Sequence, residues 1–465
     1  MSRRPFATLG RIAGVVLLAG CAHYTPQPLD PPALVEEWRN RTLADTSLLR
    51  AVSERAGPPE GGTWTSAQLA VAALLRHPDI AEARALVDAA RAGEITAGAR
   101  PQPGVTGELG RATDPGPFES PWFGSVSVSV RIELGGKRGA RIAAARARTA
   151  RATVDAAAAT WAVALRTHEA HAAAIAAESL AASVQGEWTR REAALASARR
   201  RLEVGEAAGG DLARLASEQA SLEVERVRVE GQRERARQDL ARALAIPRAQ
   251  LGDIVALADR VDGCHATAQA SLPELEGRAL TQRAEVGGAL ASYAEAEARL
   301  RLEVARTWPD LVLGPGFVWE GGVTRWNLLT SLPELLLNRN RGPIAEATAQ
   351  REAAGVRVEA AQQAVLADVA TARAACAGAL RELATADSAV GALAREAAII
   401  SAAVERGERG ERDRLGMSLV QARAARERQQ AAARVAAAGL TLERAVGGWL
   451  AEPVPVLDTG GEQTR

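Results

Sequence analysis

The sequence predicts a mainly α-helical protein with a small β part, built from a duplicated helix-strand-strand-helix-helix unit. A strand pattern that passes directly into a long helical pattern occurs twice along the chain. Short motifs also recur at an offset of roughly 202 residues, as Gly205 and Gly407 do. Only 3% of the 465 residues are aromatic, whereas 47% are apolar, many of them alanine. This composition favours long helices packed along their length over one wide core.

The first change from strand to helix spans residues 122–145. Apolar side chains occupy nearly every second position from Trp122 to Leu134, and most residues between them are polar. This period of two predicts a strand with one apolar face. After the glycine-rich segment 135–139, the period becomes helical for about sixty residues. Residues 326–347 repeat the change.

Both repeats therefore have the same predicted order of elements. The first repeat, residues 63–250, is predicted to contain a helix over 66–99, strands over about 104–111 and 122–134, a long helix over 140–204, a hairpin tip at about 205–210 and a return helix over 211–245. The second repeat, residues 272–450, is predicted to contain a helix over 273–307, strands over about 310–319 and 323–332, a long helix over 343–404, a hairpin tip at about 407–410 and a return helix over 411–449. A linker, residues 251–271, joins the repeats, and a polar tail, residues 451–465, is predicted to be disordered.

The predicted strands have the length of tilted transmembrane β-strands. Soluble β-sandwiches contain strands of similar length, so strand length alone does not indicate a membrane. The neighbouring helices do, because a helix of some sixty residues is on the order of 95 Å long, far longer than is needed to cover a strand of about ten residues. A transmembrane barrel must close on itself, and four strands are too few to do so. Three copies of the chain, with four strands each, would supply an even set of twelve strands, enough for a closed barrel.

The N-terminus has the pattern of a secretory signal peptide over residues 1–20. Its last residues, Leu18-Ala19-Gly20, together with Cys21 resemble the lipobox of bacterial lipoproteins, in which cleavage precedes an acylated cysteine. An ordinary signal peptide that happens to end before a cysteine is the alternative. We predict lipidation at Cys21, which would anchor an N-terminal arm with short helices, residues 21–62, to a membrane.

Two further cysteines, Cys264 and Cys376, lie far apart in the sequence. An oxidising compartment outside the cytoplasm would permit a disulfide between them. Cys264 falls in the predicted linker, however, and Cys376 falls in an alanine-rich helix. We interpret them as two isolated thiols.

The sequence offers little support for catalysis, a cofactor or nucleic-acid binding. The formal net charge is +1, from 57 basic and 56 acidic residues interspersed along the helices, so a nucleic-acid partner is not indicated. No phosphate-binding glycine loop, nucleophile motif or cysteine cluster occurs. His168 and His171 have a spacing that would let both reach one metal ion, but exposed histidines on an alanine-rich helix are the commoner explanation. We predict no enzyme activity, no cofactor and no metal site.

Several segments resemble the outer-membrane factor family, the TolC-like exit ducts of bacterial tripartite efflux pumps and type I secretion systems. They are Leu18-Ala19-Gly20-Cys21, the strand-to-helix joints 135–139 and 338–345, and the helix ends beginning at Leu202 and Val404. The lipobox and the second joint, with its segment Asn338-Arg339-Asn340-Arg341-Gly342, resemble the lipoprotein branch of the family, which serves resistance-nodulation-division pumps. The resemblance implies a homotrimer in which four strands per chain form a 12-stranded transmembrane β-barrel in the outer membrane, and the long helices form an α-helical coiled-coil tunnel that reaches into the periplasm. It also implies a periplasmic adaptor at the tips of the tunnel and an inner-membrane pump that supplies the energy for drug or heavy-metal export.

The resemblance also implies roles for residues at the tips. Gly205 and Gly407 mark the hairpin tips that contact the adaptor. Asp211 and Asp413, each six residues after its tip glycine, and Arg409 correspond to charged residues at the periplasmic aperture of the family. The alternative for the two aspartates is a structural one, in which an acidic residue at a helix N-terminus stabilises the helix through its dipole and cap.

Two other classes of protein fit less well. A lipid-anchored periplasmic adaptor would have one helical hairpin flanked by β-domains, whereas this chain has two predicted hairpins and four strands between helices. A purely structural coiled-coil protein would leave the strands without a purpose. The sequence does not identify the exported substrate, because a wide water-filled tunnel selects little.

Overall fold

The structure is a computed structural model that describes residues 24–60, 63–114, 120–206, 208–252, 264–265, 270–320, 322–331 and 339–449. The predicted signal peptide, Cys21 and the tail 451–465 lie outside the described residues. The chain divides into two compact units, Met1–Arg41 and Thr42–Arg465, which we describe separately.

Among its described residues, which begin at position 24, the first unit contains one short helix, α1, Pro31–Arg39. It begins where the sequence supplies an N-cap followed by a proline: the Asp30 side chain accepts a hydrogen bond from the Ala33 backbone N–H at 3.2 Å. An ion pair between Glu36 and Arg39 lies on its exposed surface.

The second unit contains the repeats. Its first part comprises α2 Thr46–Ala56, α3 Ser66–Arg76, α4 Pro78–Gly98, β1 Gly104–Arg111, β2 Trp122–Ile132, α5 Lys137–Glu203 and α6 Gly209–Ala243. A short 3-10 helix at Arg248–Gln250 follows, and the second part comprises α7 Leu272–Gln282, α8 Ala284–Ala305, β3 Leu311–Glu320, β4 Val323–Ser331, α9 Arg341–Glu405 and α10 Glu411–Val446. The predicted fold class, mainly α with a four-stranded sheet and very long helices, is confirmed.

One predicted helix, over 66–99, is instead two. Helix α3 ends at Arg76 and α4 begins at Pro78. Proline lacks a backbone N–H and disfavours helical geometry in the residue before it, so His77 is extended, with φ −69° and ψ 131°. The His77 ring then caps α4 by accepting the Asp79 backbone N–H at 3.3 Å.

The corresponding helix of the second repeat, predicted over 273–307, is also two. Arg283 separates α7 from α8 with φ −65° and ψ 124°, although no proline is present. Its guanidinium donates hydrogen bonds to the carbonyl oxygens of Arg444 and Ala445, at 3.0 and 3.2 Å. At this break, the Arg283 side chain thus caps the C-terminal end of α10.

Helix α5 is the central element of the second unit. It is 67 residues long, which corresponds to about 100 Å. Its N-terminal half contacts α4 and α8, and its C-terminal half contacts α6 and α10. The pair of Arg151 with Glu295 joins α5 to α8, and the pair of Arg237 with Glu178 joins α6 to α5.

The two cysteines do not remain isolated thiols, so that prediction is wrong. Cys264 and Cys376 form a disulfide, and their Cα atoms are 5.4 Å apart. Both side chains are buried in a core that also contains Leu275 of α7 and Val435 of α10. The fold brings them together across 112 positions of sequence, which spacing alone does not reveal.

Candidate functional site

The four strands form one antiparallel sheet in the order β1-β2-β3-β4, so β1 and β4 are its edges. The register pairs Val105 with Val128, Val126 with Phe317, and Phe317 with Trp326. Because paired residues lie on the same face of a sheet, all four strands contribute to one common face.

That common face is apolar and exposed, and the opposite face is mostly polar. The exposed fraction is 73% for Val105 and 81% for Trp326. The apolar face carries Val105, Leu109, Val126, Val128, Val130, Ile132, Leu311, Leu313, Phe317, Trp319, Trp326 and Leu328. The opposite face carries Thr106, Glu108, Ser125, Ser127, Ser129, Arg131, Glu320, Arg325, Asn327 and Ser331, and also the apolar residues Phe123, Val312, Val318, Val323 and Leu329. An apolar face of this size needs an apolar partner outside the chain.

Aromatic rings gather near the turn end of the sheet. Phe317 contacts Trp326 edge to face, with ring centroids 5.1 Å apart. The Trp319 ring lies over Gly124 on the neighbouring strand, where an added Cβ would be 2.4 Å from the ring. The glycine therefore makes room for the indole. Such rings are typical of the boundary between membrane and water.

Charged side chains secure the first joint between strand and helix. Lys137 Nζ lies 2.7 Å from Asp310 Oδ1, which ties the start of α5 to the segment before β3. Arg141 binds the Glu133 carboxylate and also donates to the carbonyl oxygen of Ala97 at 2.8 Å. The joint thus fixes the direction in which α5 leaves the sheet.

The second joint uses different groups. Asn340, in the left-handed conformation with φ 51°, precedes α9. Its side-chain amide donates to the carbonyl oxygen of Glu303 at 2.8 Å and to the carboxylate of the same residue at 2.9 Å. Residues 332–338, which complete this joint, lie outside the described residues.

The hairpin tips have the same backbone geometry in both repeats. In the first, Gly205 has φ 78°, its N–H donates to Leu202 O, and the Glu206 N–H donates to Arg201 O at 2.8 Å. Gly407, with φ 75°, has the equivalent pair of hydrogen bonds in the second. This is the Schellman arrangement, which strongly favours glycine. Both glycines lie at the tips, as the sequence indicated; their contact with an adaptor stays a prediction.

Asp211 and Asp413 lie at equivalent positions, in the first turns of α6 and α10. A carboxylate there interacts favourably with the helix dipole. Asp211 has a second partner, because its Oδ2 lies 3.4 Å from Nη2 of Arg412. This ion pair connects the end of one hairpin to the end of the other.

The three predicted aperture residues, Asp211, Arg409 and Asp413, line one groove between the hairpin ends, with a volume of about 480 Å³. The structure thus brings them together, although their role stays a prediction. Sequence reasoning missed Arg412, which also lines the groove. The available signal was its place next to Asp413 in the same helical turn.

A network of charges lies further from the tips. Glu187 is only 1% exposed and pairs with Arg191 at 3.0 Å and with Arg426 of α10 at 3.5 Å. Arg191 also pairs with Glu218, which in turn pairs with Arg214. Burial raises the pKa of Glu218, but hydrogen bonds from these two arginines outweigh it and leave the pKa lowered. The network links α5, α6 and α10, and sequence reasoning missed it.

No group of three or more His, Cys, Asp or Glu suited to a metal ion occurs among the described residues. Between His168 and His171, Glu169 pairs with Arg444. Burial raises the pKa of Glu169 despite that pair. Within the described part of the chain, no helix combines the length and the apolar character needed to cross a membrane.

A family model described as outer membrane efflux protein matches residues 69–245. No curated protein matches the chain. Among solved structures, the outer membrane protein VceC of Vibrio cholerae is 17% identical, with a TM-score of 0.64 over 82% of this chain and 96% of that one. The CmeC outer membrane channel of Campylobacter jejuni is 15% identical, with a TM-score of 0.61 over 93% and 96%. The open MtrE outer membrane channel of Neisseria gonorrhoeae is 18% identical, with a TM-score of 0.64 over 84% and 90%.

At these identities the structural likeness establishes the fold, which extends through both repeats. The family match covers most of the first repeat, and the second repeat has the same order of elements. Residues 69–245 thus match the outer membrane efflux protein family model, and the fold resembles that of solved outer membrane channels.

Proposed function

We propose that this protein is the passive exit duct of a tripartite efflux system in the outer membrane. The observation that carries the proposal is the sheet with one exposed apolar face and one polar face. Facing outward, the apolar side would meet lipid, and the polar side would line a water-filled pore.

The edges of the chain support assembly as a homotrimer. The sheet ends in β1 and β4, and an open edge is not tolerated in lipid. Neighbouring helices follow the order α4-α5-α8-α9 near the sheet and α6-α5-α10-α9 near the tips. One edge of the chain is therefore formed by β1, α4 and α6 of the first repeat, and the other edge is formed by β4 and α9 of the second repeat. A cyclic assembly joins unlike edges, and three copies supply the 12 strands of a small barrel.

The tips are the proposed periplasmic aperture. Asp211, Arg409 and Asp413 place charges there, and the pair of Asp211 with Arg412 holds the two hairpin ends together. An exposed pair of this kind is individually weak, so small forces suffice to exchange it for another. We propose that such pairs hold the entrance closed and that the acids attract cations once it opens.

The proposed partners follow from this position. A periplasmic adaptor would contact the tips around Gly205 and Gly407, and an inner-membrane pump would deliver drugs or heavy metals. We further propose that Cys21 is lipidated and anchors the N-terminal arm to the outer membrane. The alternative identity, a lipid-anchored adaptor, is not supported, because the chain has two hairpins and its sheet lies between helices.

The experiment that tests this function uses the mature chain extracted from outer membranes in detergent. We expect a trimer that resists dodecyl sulfate until heated and forms ion-conducting pores in planar bilayers. A monomer that needs no detergent, or a trimer without conductance, would refute the duct.

The aperture is tested by the paired change Asp211→Ala and Asp413→Ala. Removal of both acids should raise the open fraction and reduce block by divalent cations in single-channel recordings. Arg414→Ala is the matched control, since Arg414 lies on the same turn of α10 and, among the described residues, pairs locally with Glu411. Unchanged block in the double variant would remove the acids from the gate.

A further inference from the structure

The apolar face of the sheet carries one charged side chain among the strand residues that the structure describes. This residue is Arg111, the last of β1, which pairs with Trp122 and shares its face with Leu109. The other charged strand residues all lie on the opposite face, namely Glu108, Arg131, Glu320 and Arg325. A charge on a face that meets lipid is costly at the bilayer midplane and is tolerated near the membrane surface.

Arg111 lies at the end of the sheet that is farther from the helices. Its pair with Trp122 is the last in the ladder of β1 with β2, whereas the opposite end of these strands adjoins α4 and α5. In the proposed orientation, with the helices in the periplasm, this end reaches the outer surface of the membrane. Trp122 and Trp319 lie on the same face near this end, as is typical of the headgroup level. Arg111 is therefore placed among the lipid headgroups of the outer leaflet.

The Arg111 guanidinium has no carboxylate partner among the described residues. It contacts Trp122 instead, with its Cζ 5.8 Å from the centroid of the indole ring. Both side chains are exposed, Trp122 by 51%. Because the N–H donors lie in the plane of the guanidinium, stacking on a ring leaves them available to an anion.

Arg111 also lies on an edge strand. In the proposed trimer, β1 of one copy adjoins β4 of the next, so this residue lies beside the seam between two copies. On the apolar face, the outer part of β4 carries Thr324 and Trp326, and Trp326 is 81% exposed. Each seam therefore has a guanidinium on one side and an exposed indole on the other.

From these observations we propose that Arg111 and Trp122 form a binding site for the phosphate-bearing headgroup of a glycolipid in the outer leaflet, with one site at each seam of the trimer. A guanidinium binds two phosphate oxygens at once, which makes arginine well suited to this group. The C–H face of a sugar ring packs against an indole, so the tryptophans favour a phosphorylated sugar over the headgroup of a simple phospholipid.

This inference rests on the proposed function, because it requires the apolar face to meet the membrane. It also has a consequence for assembly. A lipid that binds at the seam binds the trimer and not the separate chains, so it stabilises the trimer.

The test uses the detergent-solubilised trimer and, as the probe, an acylated glucosamine disaccharide that carries phosphates. Native mass spectrometry counts the lipid molecules retained, and gel electrophoresis gives the temperature at which the trimer dissociates. We expect one molecule per seam and a higher dissociation temperature. The same glycolipid without its phosphates should bind at least about tenfold more weakly, because the charged hydrogen bonds are lost. Equal retention of the two forms would overturn the proposal.

Two further probes distinguish the sources of phosphate. Phosphatidylglycerol should be retained less than the glycolipid, and inorganic phosphate should leave the dissociation temperature unchanged, since it has neither sugar nor acyl chains. If phosphatidylglycerol is retained equally well, or phosphate alone stabilises the trimer, the glycolipid is not the ligand.

One pair of variants locates the site. Arg111→Gln should weaken the phosphorylated glycolipid by about tenfold and leave the form without phosphates unaffected. Arg325→Gln is the matched control, since Arg325 is also exposed and lies near the same end of the sheet, but on the opposite face. A loss as large in the control, or none in Arg111→Gln, would contradict the assignment.

Trimer formation and conductance are recorded on the same preparations. A conducting trimer that does not discriminate between the two glycolipids removes only the lipid site, whereas absence of the trimer in the parent protein removes the duct as well. Because the two glycolipids are compared on the parent protein, this part of the test does not depend on the folding of a variant.

Discussion

The two repeats follow the same backbone course with different side chains at corresponding points. The tip is the exception, because Gly205 and Gly407 are identical in residue and nearly identical in φ, at 78° and 75°. At the joints, by contrast, Gly136 with φ 71° corresponds to Asn340 with φ 51°. Asparagine tolerates the left-handed region better than most residues, so the joint accepts a substitution there. The comparison teaches that the tip constrains its residue type more tightly than the joint does.

The cores beside the two helix breaks differ more. In the first repeat, α2 and Trp64 cover α3, and side chains such as Val52 and Leu69 are fully buried. In the second repeat, the disulfide of Cys264 with Cys376 lies in the corresponding core. The core of the second repeat thus contains a covalent cross-link, whereas the described residues of the first core include no cysteine.

The largest expected effect tests whether both repeats contribute to one membrane face. Val128→Arg in β2 and Leu313→Arg in β3 each place a charge on the apolar face. Near the bilayer midplane, such a charge destabilises the folded barrel by about 2–4 kcal/mol per chain. Because three copies carry each change, both variants should lose the heat-sensitive trimer, as followed by gel electrophoresis of unheated outer membranes.

Ser127→Arg is the control, since Ser127 is adjacent in sequence but lies on the polar face. It should assemble normally. If only one of the two apolar-face variants fails, the repeats do not share a face, and the comparison breaks down.

The next effect distinguishes the two cores. Replacing both Cys264 and Cys376 by alanine should destabilise the protein by about 2–5 kcal/mol, because the bond closes a long loop in the unfolded chain. Thermal unfolding followed by circular dichroism measures this. A reductant should destabilise the parent protein to a similar extent once it reaches the buried bond.

The double variant is its own control, because reductant should not change its stability further. Peptide mapping under non-reducing conditions should recover the two cysteines in one linked fragment. Recovery of both as free thiols would restore the interpretation that the structure overturned.

Much of the fold was predictable from local patterns. The alternation along 122–132 is visible because one face contacts apolar surroundings, and the long helices follow from alanine-rich segments without proline. The break at His77 was also predictable, since Pro78 disfavours a helix at the preceding residue. The break at Arg283 has no such local signal, and its guanidinium contacts the distant end of α10 instead.

The site was predictable only in part. The tip residues follow from repeat symmetry, which places Asp211 and Asp413 at matching points. The pair of Asp211 with Arg412 joins residues 201 positions apart, and Glu187 is buried by helices from both repeats. Such contacts depend on how the hairpins pack side by side, and helical periodicity does not encode that.

A smaller effect tests the shared tip geometry. Gly205→Ala and Gly407→Ala each place an alanine in the left-handed backbone region, which should destabilise the protein by about 1–2 kcal/mol. Because the hydrogen bonds are the same, the two losses in thermal stability should agree closely. Since no atom lies within 4 Å of either added Cβ, steric overlap does not contribute. Markedly unequal losses would show that the two tips are not equivalent.

The smallest effect concerns the joints. Asn340→Gly should change stability by only a few tenths of a kcal/mol through the backbone, while the loss of two hydrogen bonds to Glu303 adds about 1 kcal/mol. Gly136→Asn should be nearly neutral, because asparagine already occupies the corresponding place. Chemical denaturation measures the change in the free energy of unfolding for each of these two variants. A large loss in Gly136→Asn would show that the first joint is as strict as the tips.

The most direct test of the account is a cysteine scan across positions 125–130 of β2 in assembled trimers. Each position is probed with a membrane-impermeant thiol reagent and with a lipid-soluble one. We predict strict alternation, in which Ser125, Ser127 and Ser129 react with the aqueous reagent and Val126, Val128 and Val130 react from the lipid. Uniform reactivity with the aqueous reagent, or the opposite alternation, would contradict the claim that this sheet faces lipid on one side and a water-filled pore on the other.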